Sequence, residues 1–371
     1  MELTTTKKIL LELLIKKETS RKELENVLNI TSSTLSYTLK KIKDYILISN
    51  RKSIGLGRPT QYVLLNPNYW YSVGIKVGRD YINATIFNSK FEILEKNALK
   101  ITKEYMGNEN ISKLLDSVLS KLSLKDKIKS IGIAFSGNVI DKKVNSYILK
   151  LKDYSPKDII KKHFGNIPFT ILNDVEAIAT EEFVNHAGEK ILVLNYGTGI
   201  GACYLESLDY FNKNYKKIIE LGHFYAGGNE KCYCGSTGCL ETLASEYAIL
   251  KKYKFRDLKI TEFIENEEQY EIDLKEIRKL YKNFKKKAEI IYEDVFKHLT
   301  VSIINTFKLL SPKKIILTGE GVTPWFSQVL QKKVLSVSKE PIPIVYRGIE
   351  SNIELGAAIT ALQYYIIQSK L

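Results

Sequence analysis

The chain is poor in cysteine and has no long apolar run. Only 4 of its 371 residues are cysteine, which excludes the disulfide framework of a small secreted protein and fits a reducing compartment. No stretch of about 20 apolar residues can be drawn anywhere. The first twenty residues carry Lys7, Lys8, Glu12, Lys16 and Lys17 among their aliphatics and so offer no signal-peptide core. No membrane span is expected, and the expected location is the cytoplasm. Acidic residues are in deficit, 42 against 56 basic ones, for a net charge of +14. Such an excess speaks about partners rather than fold. It is densest at the amino terminus, where the first 65 residues hold 12 basic and 6 acidic side chains. Low-complexity segments are also missing, and at 44% hydrophobic and 26% charged residues the chain reads as two or three globular domains.

The amino-terminal segment spells out three short helices. Ile9, Leu10, Leu13 and Leu14 recur at helical spacing over 3–16, Ser20-Arg-Lys-Glu23 reads as a capping box, and Thr31 opens a third helix with Leu35, Leu39 and Ile42 on one stripe. Strand-like runs at Tyr45–Ser49 and Gln61–Leu65 flank a basic, glycine-containing connection. This pattern predicts a winged helix-turn-helix over 1–66, with Thr31, Ser32, Ser33, Ser36 and Tyr37 facing base edges and Lys40 nearer the phosphates. Arg58, beside Pro59 in the wing, is expected in a minor groove. A protein-interaction module with a solvated basic face is the alternative.

From Tyr71 the pattern turns to strands alternating with helices, which predicts an α/β body. Strands are expected at Ser72–Val77, Tyr81–Phe87, Ile131–Phe135, Ile191–Tyr196, Ala202–Glu206 and Lys314–Thr318. Helices are expected at Ile111–Leu122, Val175–His186, Leu240–Tyr253, Lys275–Leu310 and Ile353–Ile367. The Lys- and Glu-rich stretch over 253–288 reads as a solvated helical face.

Three of the four cysteines, Cys232, Cys234 and Cys239, crowd within eight residues. Two thiolates one residue apart can close on one tetrahedral ion, and Gly235 and Gly238 let the chain turn back for the third. His223 is the candidate fourth ligand. Thiolates and imidazole favour zinc over magnesium or calcium, and a closed Cys3His set leaves no open position, so the predicted role is structural. Unliganded thiols or a redox pair are the alternatives; Cys203, in a strand-like run, reads as a small buried hydrophobe.

Together, Asn173-Asp174, Gly197-Thr-Gly-Ile-Gly-Ala, Glu220-Leu-Gly-His223 and Cys232-Tyr-Cys-Gly-Ser-Thr-Gly-Cys-Leu-Glu241 resemble the ROK family of bacterial sugar kinases and sugar-responsive repressors. A winged helix-turn-helix in front resembles its repressor branch. The resemblance implies a two-lobed, actin-like and hexokinase-like body with a sugar in its cleft. It also implies zinc on His223 and the three cysteines, and sugar contacts from Asn173, Asp174, Glu220, His223 and Glu241. Asp174 stands where the family's kinases keep the base that deprotonates the sugar hydroxyl, although by itself it reads equally well as a helix cap. The kinases' first phosphate turn is replaced by Gly74-Ile-Lys-Val-Gly-Arg-Asp, with Lys76 at the place of the metal-organising aspartate. Ser136-Gly137 stands where relatives usually carry Pro-Gly.

The fold expected is therefore α/β: a winged helix-turn-helix (1–66), a first body lobe (71–172, completed by 354–371) and a second lobe with a zinc knuckle (173–353). The function expected is a sugar-responsive repressor that binds double-stranded operator DNA as a homodimer or higher oligomer and performs no catalysis. An ATP-dependent sugar kinase with an accessory DNA-binding domain is the first alternative. A DNA-binding protein with a vestigial cleft, governed by a protein partner, is the second.

Overall fold

The computed structural model describes residues 3–51, 59–206, 216–348 and 352–370. Thr4 caps α1 (Thr5–Lys16) by accepting the Lys7 N–H, and the helix buries Ile9, Leu10, Leu13 and Leu14. A short strand, β1 (Glu18–Ser20), leads into α2 (Arg21–Leu28), where Ser20 and Glu23 form the reciprocal capping box. Asn29, in the left-handed region at φ 50°, ends that helix, and Thr31 caps α3 (Ser32–Lys41). Strands β2 (Ile46–Arg51) and β3 (Thr60–Leu65) pair antiparallel, and β1 joins β3, giving the order β1-β3-β2. Three helices and a three-stranded sheet make the expected winged helix. Residues 52–58, with the expected minor-groove residue Arg58, lie outside the described residues.

The body's first sheet contains β4 (Tyr71–Val77), β5 (Tyr81–Phe87), β6 (Ile93–Lys100), β7 (Ile128–Phe135) and β11 (Phe169–Asn173), in the order β11-β7-β4-β5-β6. Its inner three strands are almost wholly buried, as expected of a sheet covered on both faces. Helix α4 (Asn108–Ser120) follows β6. A small antiparallel sheet of β8 (Asn138–Ile140), β9 (Lys143–Ser146) and β10 (Leu151–Tyr154), then α5 (Lys157–Phe164), separate β7 from β11. After β11 comes α6 (Asp174–Asn185).

The second sheet runs β14-β13-β12-β15-β16, from β12 (Ile191–Tyr196), β13 (Ile200–Leu205), β14 (Lys216–Ile219), β15 (Lys314–Thr318) and β16 (Ile344–Gly348). Between β14 and β15 lie α7 (Leu240–Ala244), α8 (Glu246–Tyr253), α9 (Ile260–Glu265), α10 (Glu267–Asn283), α11 (Lys285–Ile291) and α12 (Glu293–Leu310); α13 (Pro324–Ser338) follows β15. The last helix, α14 (Ile353–Gln368), returns to the first sheet.

Three expectations need correction. The helix expected over Leu240–Tyr253 is two, because Ser245 is extended (φ −75°, ψ 174°). The one expected over Lys275–Leu310 is three, interrupted at Phe284 and Tyr292, and its charged amino-terminal part is not wholly solvated, since Leu274, Ile277 and Leu280 are buried. Finally, the chain leaves its first compact unit after Gly188 instead of near residue 173, because α6 packs on α14. The winged helix also belongs to that unit: Lys7 Nζ donates to the Ile367 carbonyl at 2.6 Å and Lys16 Nζ to the Ala187 carbonyl at 2.7 Å.

Helix α14 seats where it does because three glycines let backbones touch. A Cβ on Gly74 of β4 would lie 1.7 Å from the Glu354 carbonyl oxygen, one on Gly132 of β7 would lie 1.9 Å from that of Ala357, and one on Gly356 would lie 1.8 Å from that of Ala177 in α6. Backbone cannot rotate aside as a side chain does, so Gly132→Ala should cost about 3 kcal/mol or more and lower the melting temperature by several degrees. A thermal melt of the variant matching the wild type would refute this account of the packing.

Candidate functional site

Asn173 and Asp174 stand where β11 ends and α6 begins. Asn173 is the helix cap: its Oδ1 accepts the Val175 N–H at 2.8 Å, Glu176 returns a bond to the Asn173 N–H at 3.1 Å, and Asn173 Nδ2 donates to the Gly137 carbonyl at 2.8 Å. Asp174 occupies the first helical position instead, so the capping role belongs to its neighbour. Its Oδ2 accepts from Ser136 Oγ at 2.8 Å and its Oδ1 from the Val175 N–H at 2.8 Å. Burial pushes its carboxyl above the usual range, while Ser136, the Val175 N–H and the charge of Lys76 pull it back.

Lys76, Ser136 and Asp174 meet because β4, β7 and β11 are adjacent and parallel, with Val77 beside Phe135 and Phe135 beside Asn173. The carboxyl ends of neighbouring parallel strands are where α/β folds bind ligands. Lys76 is half-buried, and a Cβ on Gly78 would lie 3.0 Å from its Cε. The lysine thus packs on the turn that follows β4. In the sequence Lys76 and Ser136 stand out only as departures from the family pattern; the strand order joins them to Asp174.

The second unit holds the other expected residues. Glu220 is exposed, and its charge is felt by both His223 and Glu241. Glu241 is 3% exposed. Its Oε2 accepts the Ile200 N–H at 2.8 Å and its Oε1 the Tyr233 hydroxyl at 3.4 Å, and burial pushes its carboxyl up to about 7. Two glycines exist to admit it, because a Cβ on Gly199 would lie 3.0 Å from Oε1 and one on Gly222 2.3 Å from Oε2.

His223, Cys232, Cys234 and Cys239 present their ligand atoms within 4.8 Å of one another. Cys232 Sγ is 3.7 Å from His223 Nδ1, and Cys234 Sγ is 3.7 Å from Cys239 Sγ. A tetrahedral ion with bonds of about 2.0–2.3 Å sets its ligands roughly 3.5–3.8 Å apart, so the four donors fit one metal. The knuckle is folded by its own backbone: the Cys232 N–H donates to Ser236, the Gly238 N–H to Glu230, and Gly235 and Gly238 take φ of 95° and 69°. Burial holds the His223 imidazole below its ordinary value, against the opposing pull of the Glu220 charge. Cys203 is buried in β13, as expected of an apolar residue.

In the winged helix, Leu35, Thr38 and Leu39 face inward, whereas Thr31, Ser32, Ser33, Ser36, Tyr37 and Lys40 are exposed together. Tyr37 is 74% exposed.

A two-unit α/β body carrying a Cys3His cluster, preceded by a winged helix, defines the class of a DNA reader joined to a sugar-kinase-like domain. The profile of the ROK family matches residues 72–344, and the chain belongs to that family. It is 31% identical to the xylose repressor of Bacillus subtilis over 278 residues, 69% of each chain. It is also 25% identical to a glucokinase of Halalkalibacterium halodurans over 302 residues, 76% of this chain and 90% of that one. Among solved structures it resembles a ROK family transcriptional regulator, a homologue of the Escherichia coli MLC protein, with a TM-score of 0.69 at 18% identity over 98% of this chain and 97% of the other; that likeness concerns fold.

The buried Asp174 carboxyl yields a test. A group whose pKa is raised on folding contributes fully to stability below its unfolded value of about 4 and loses that contribution as pH climbs through the folded value. The groups facing it are Ser136, the Val175 N–H and Lys76. Asp174→Asn should therefore melt higher than wild type at neutral pH, the gap closing toward acid. Parallel curves at all pH values would contradict it.

Proposed function

We propose that this protein is a homodimeric, zinc-containing transcriptional repressor of the cytoplasm. It binds double-stranded operator DNA through its winged helix and answers to a sugar without phosphorylating it. The observation that carries the reading is the exposed polar face of α3, built on a winged helix in front of a ROK body. Likeness to the xylose repressor supports it. Asn173, Asp174, Glu220, His223 and Glu241 are the sugar-contacting set, since vicinal hydroxyls are best held by carboxylates and amides. Among the described residues no helix is long and apolar enough to cross a membrane.

A kinase reading draws on Asp174, on the Gly197-Thr-Gly turn and on the glucokinase likeness. Phosphoryl transfer needs a metal beside the donor phosphates. Lys76 places a cation at the strand end where a metal-organising acid would serve that purpose. A repressor needs only that the sugar bind one arrangement of the protein better than another.

The deciding experiment follows DNA binding by fluorescence anisotropy, using fragments from around the protein's own gene, while a sugar panel including xylose is added. One sugar should release the DNA, Asp174→Ala should bind DNA but ignore that sugar, and a coupled ATP assay should stay at background. Turnover above background, or DNA binding indifferent to every sugar, would sink the reading. Zinc is tested separately. The purified chain should carry about one equivalent by elemental analysis, and Cys234→Ser or a strong chelator should remove it and lower the melting temperature. Zinc-free protein melting like the zinc-loaded form would reject a structural metal.

A further inference from the structure

Arg21 opens α2, yet its side chain reaches across two other elements. Nη2 donates to Ser36 Oγ on α3, and Nη1 donates to Gln61 Oε1 on β3 at 3.1 Å. Both acceptors are neutral. Among the described residues no carboxylate pairs with Arg21, whereas nearby Arg51 is paired with Glu18. A guanidinium carries five N–H donors, so two tethers leave three free. The result is a cation with its charge uncompensated and its orientation fixed, spanning the helix expected to enter the groove and the strand that leads to the wing.

Fixing an arginine with neutral acceptors keeps its full charge for a further partner and reduces the rotamer entropy lost when that partner arrives. Planar, paired donors match phosphate oxygens. The site lies one turn along α3 from Ser32 and Ser33, on the flank of that helix, where contacts go to the DNA backbone and not to base edges. We propose that Arg21 is a phosphate clamp of the DNA interface, and that Ser36 and Gln61 are its positioning residues. Ser36, expected from the sequence to read a base, serves instead to hold the guanidinium. The proposal rests on the DNA-binding reading and adds a contact to it.

The test uses the full-length protein and a labelled duplex of mixed sequence, about 30 base pairs long so that two half-sites fit, together with any tighter fragment found near the protein's gene. Affinity is measured against salt concentration. Arg21→Ala should weaken binding roughly tenfold to a hundredfold on every sequence and lower the slope of log affinity against log salt by about 1. Arg21→Lys should restore the slope but only part of the affinity. Ser36→Ala, which keeps the charge and frees it, should weaken binding less and leave the slope unchanged. Unaltered affinity and slope in folded Arg21→Ala would overturn the clamp while wild-type binding upheld the DNA reading. A loss confined to one sequence with an unchanged slope would make Arg21 a base reader and equally overturn it. Wild type that binds no duplex at any salt would bring down both.

Discussion

Everything in the first unit depends on how closely α14 approaches the sheet beneath it. Gly74 and Gly132 sit side by side on β4 and β7, and each leaves room for a carbonyl of the helix where a methyl group would collide. The helix answers with Gly356, Ala357, Ala358 and Ala361, all buried. Backbone-to-backbone contact of this kind is set by chain geometry and not by adaptable side chains, so it fixes depth and angle together. The carboxyl ends of β4, β7 and β11 are thereby held in register, and with them Lys76, Ser136 and Asp174. Gly356 lets α6 press on the same helix, and α1 is tied to its far end through Lys7 and Ile367.

Helix α6 gains a double position from this arrangement. At its first turn stand Asn173 and Asp174; at its last, the Ala187 carbonyl receives Lys16 from α1, and Gly188 lies against Ile15. Three turns of helix, buried on most of their surface, separate a group suited to hydroxyl recognition from the first helix of the DNA reader. The two ends of α6 are thus joined within one unit by ordinary packing.

The winged helix was legible almost in full because its signals are local. Ser20 and Glu23 cap each other, Thr31 caps α3, and the apolar stripes fall at helical spacing. The cysteine knuckle was legible for the same reason, its ligands and turning glycines lying close in sequence. What escaped depended on contacts distant in sequence. Nothing near Gly74 announces that Glu354 will press on it, and nothing near residue 173 tells that α6 will stay with the first unit. The breaks at Ser245, Phe284 and Tyr292 were missed because apolar periodicity runs on through each of them. Arg21 carries no local signal, because its contacts arise only when α2, α3 and β3 assemble.

Glycine-rich turns invite a phosphate-binding interpretation, and the second unit gives these glycines other neighbours to weigh against it. Gly199 and Gly222 make space for the Glu241 carboxylate. Gly321 abuts Glu246, whose backbone N–H donates to the Gly197 carbonyl at 3.0 Å and whose buried side chain accepts from Arg278 Nε at 2.6 Å and Nη2 at 2.7 Å. Glu320 and Glu271 share the same arginine. Three carboxylates thus gather round one guanidinium beside the turn. Arg278 is thereby engaged by all three. Gly199 and Gly222 thus have a buried acid as neighbour, whereas a Cβ on Gly197 would meet nothing closer than 3.7 Å, so a glycine turn beside Thr198 is by itself no argument for a nucleotide.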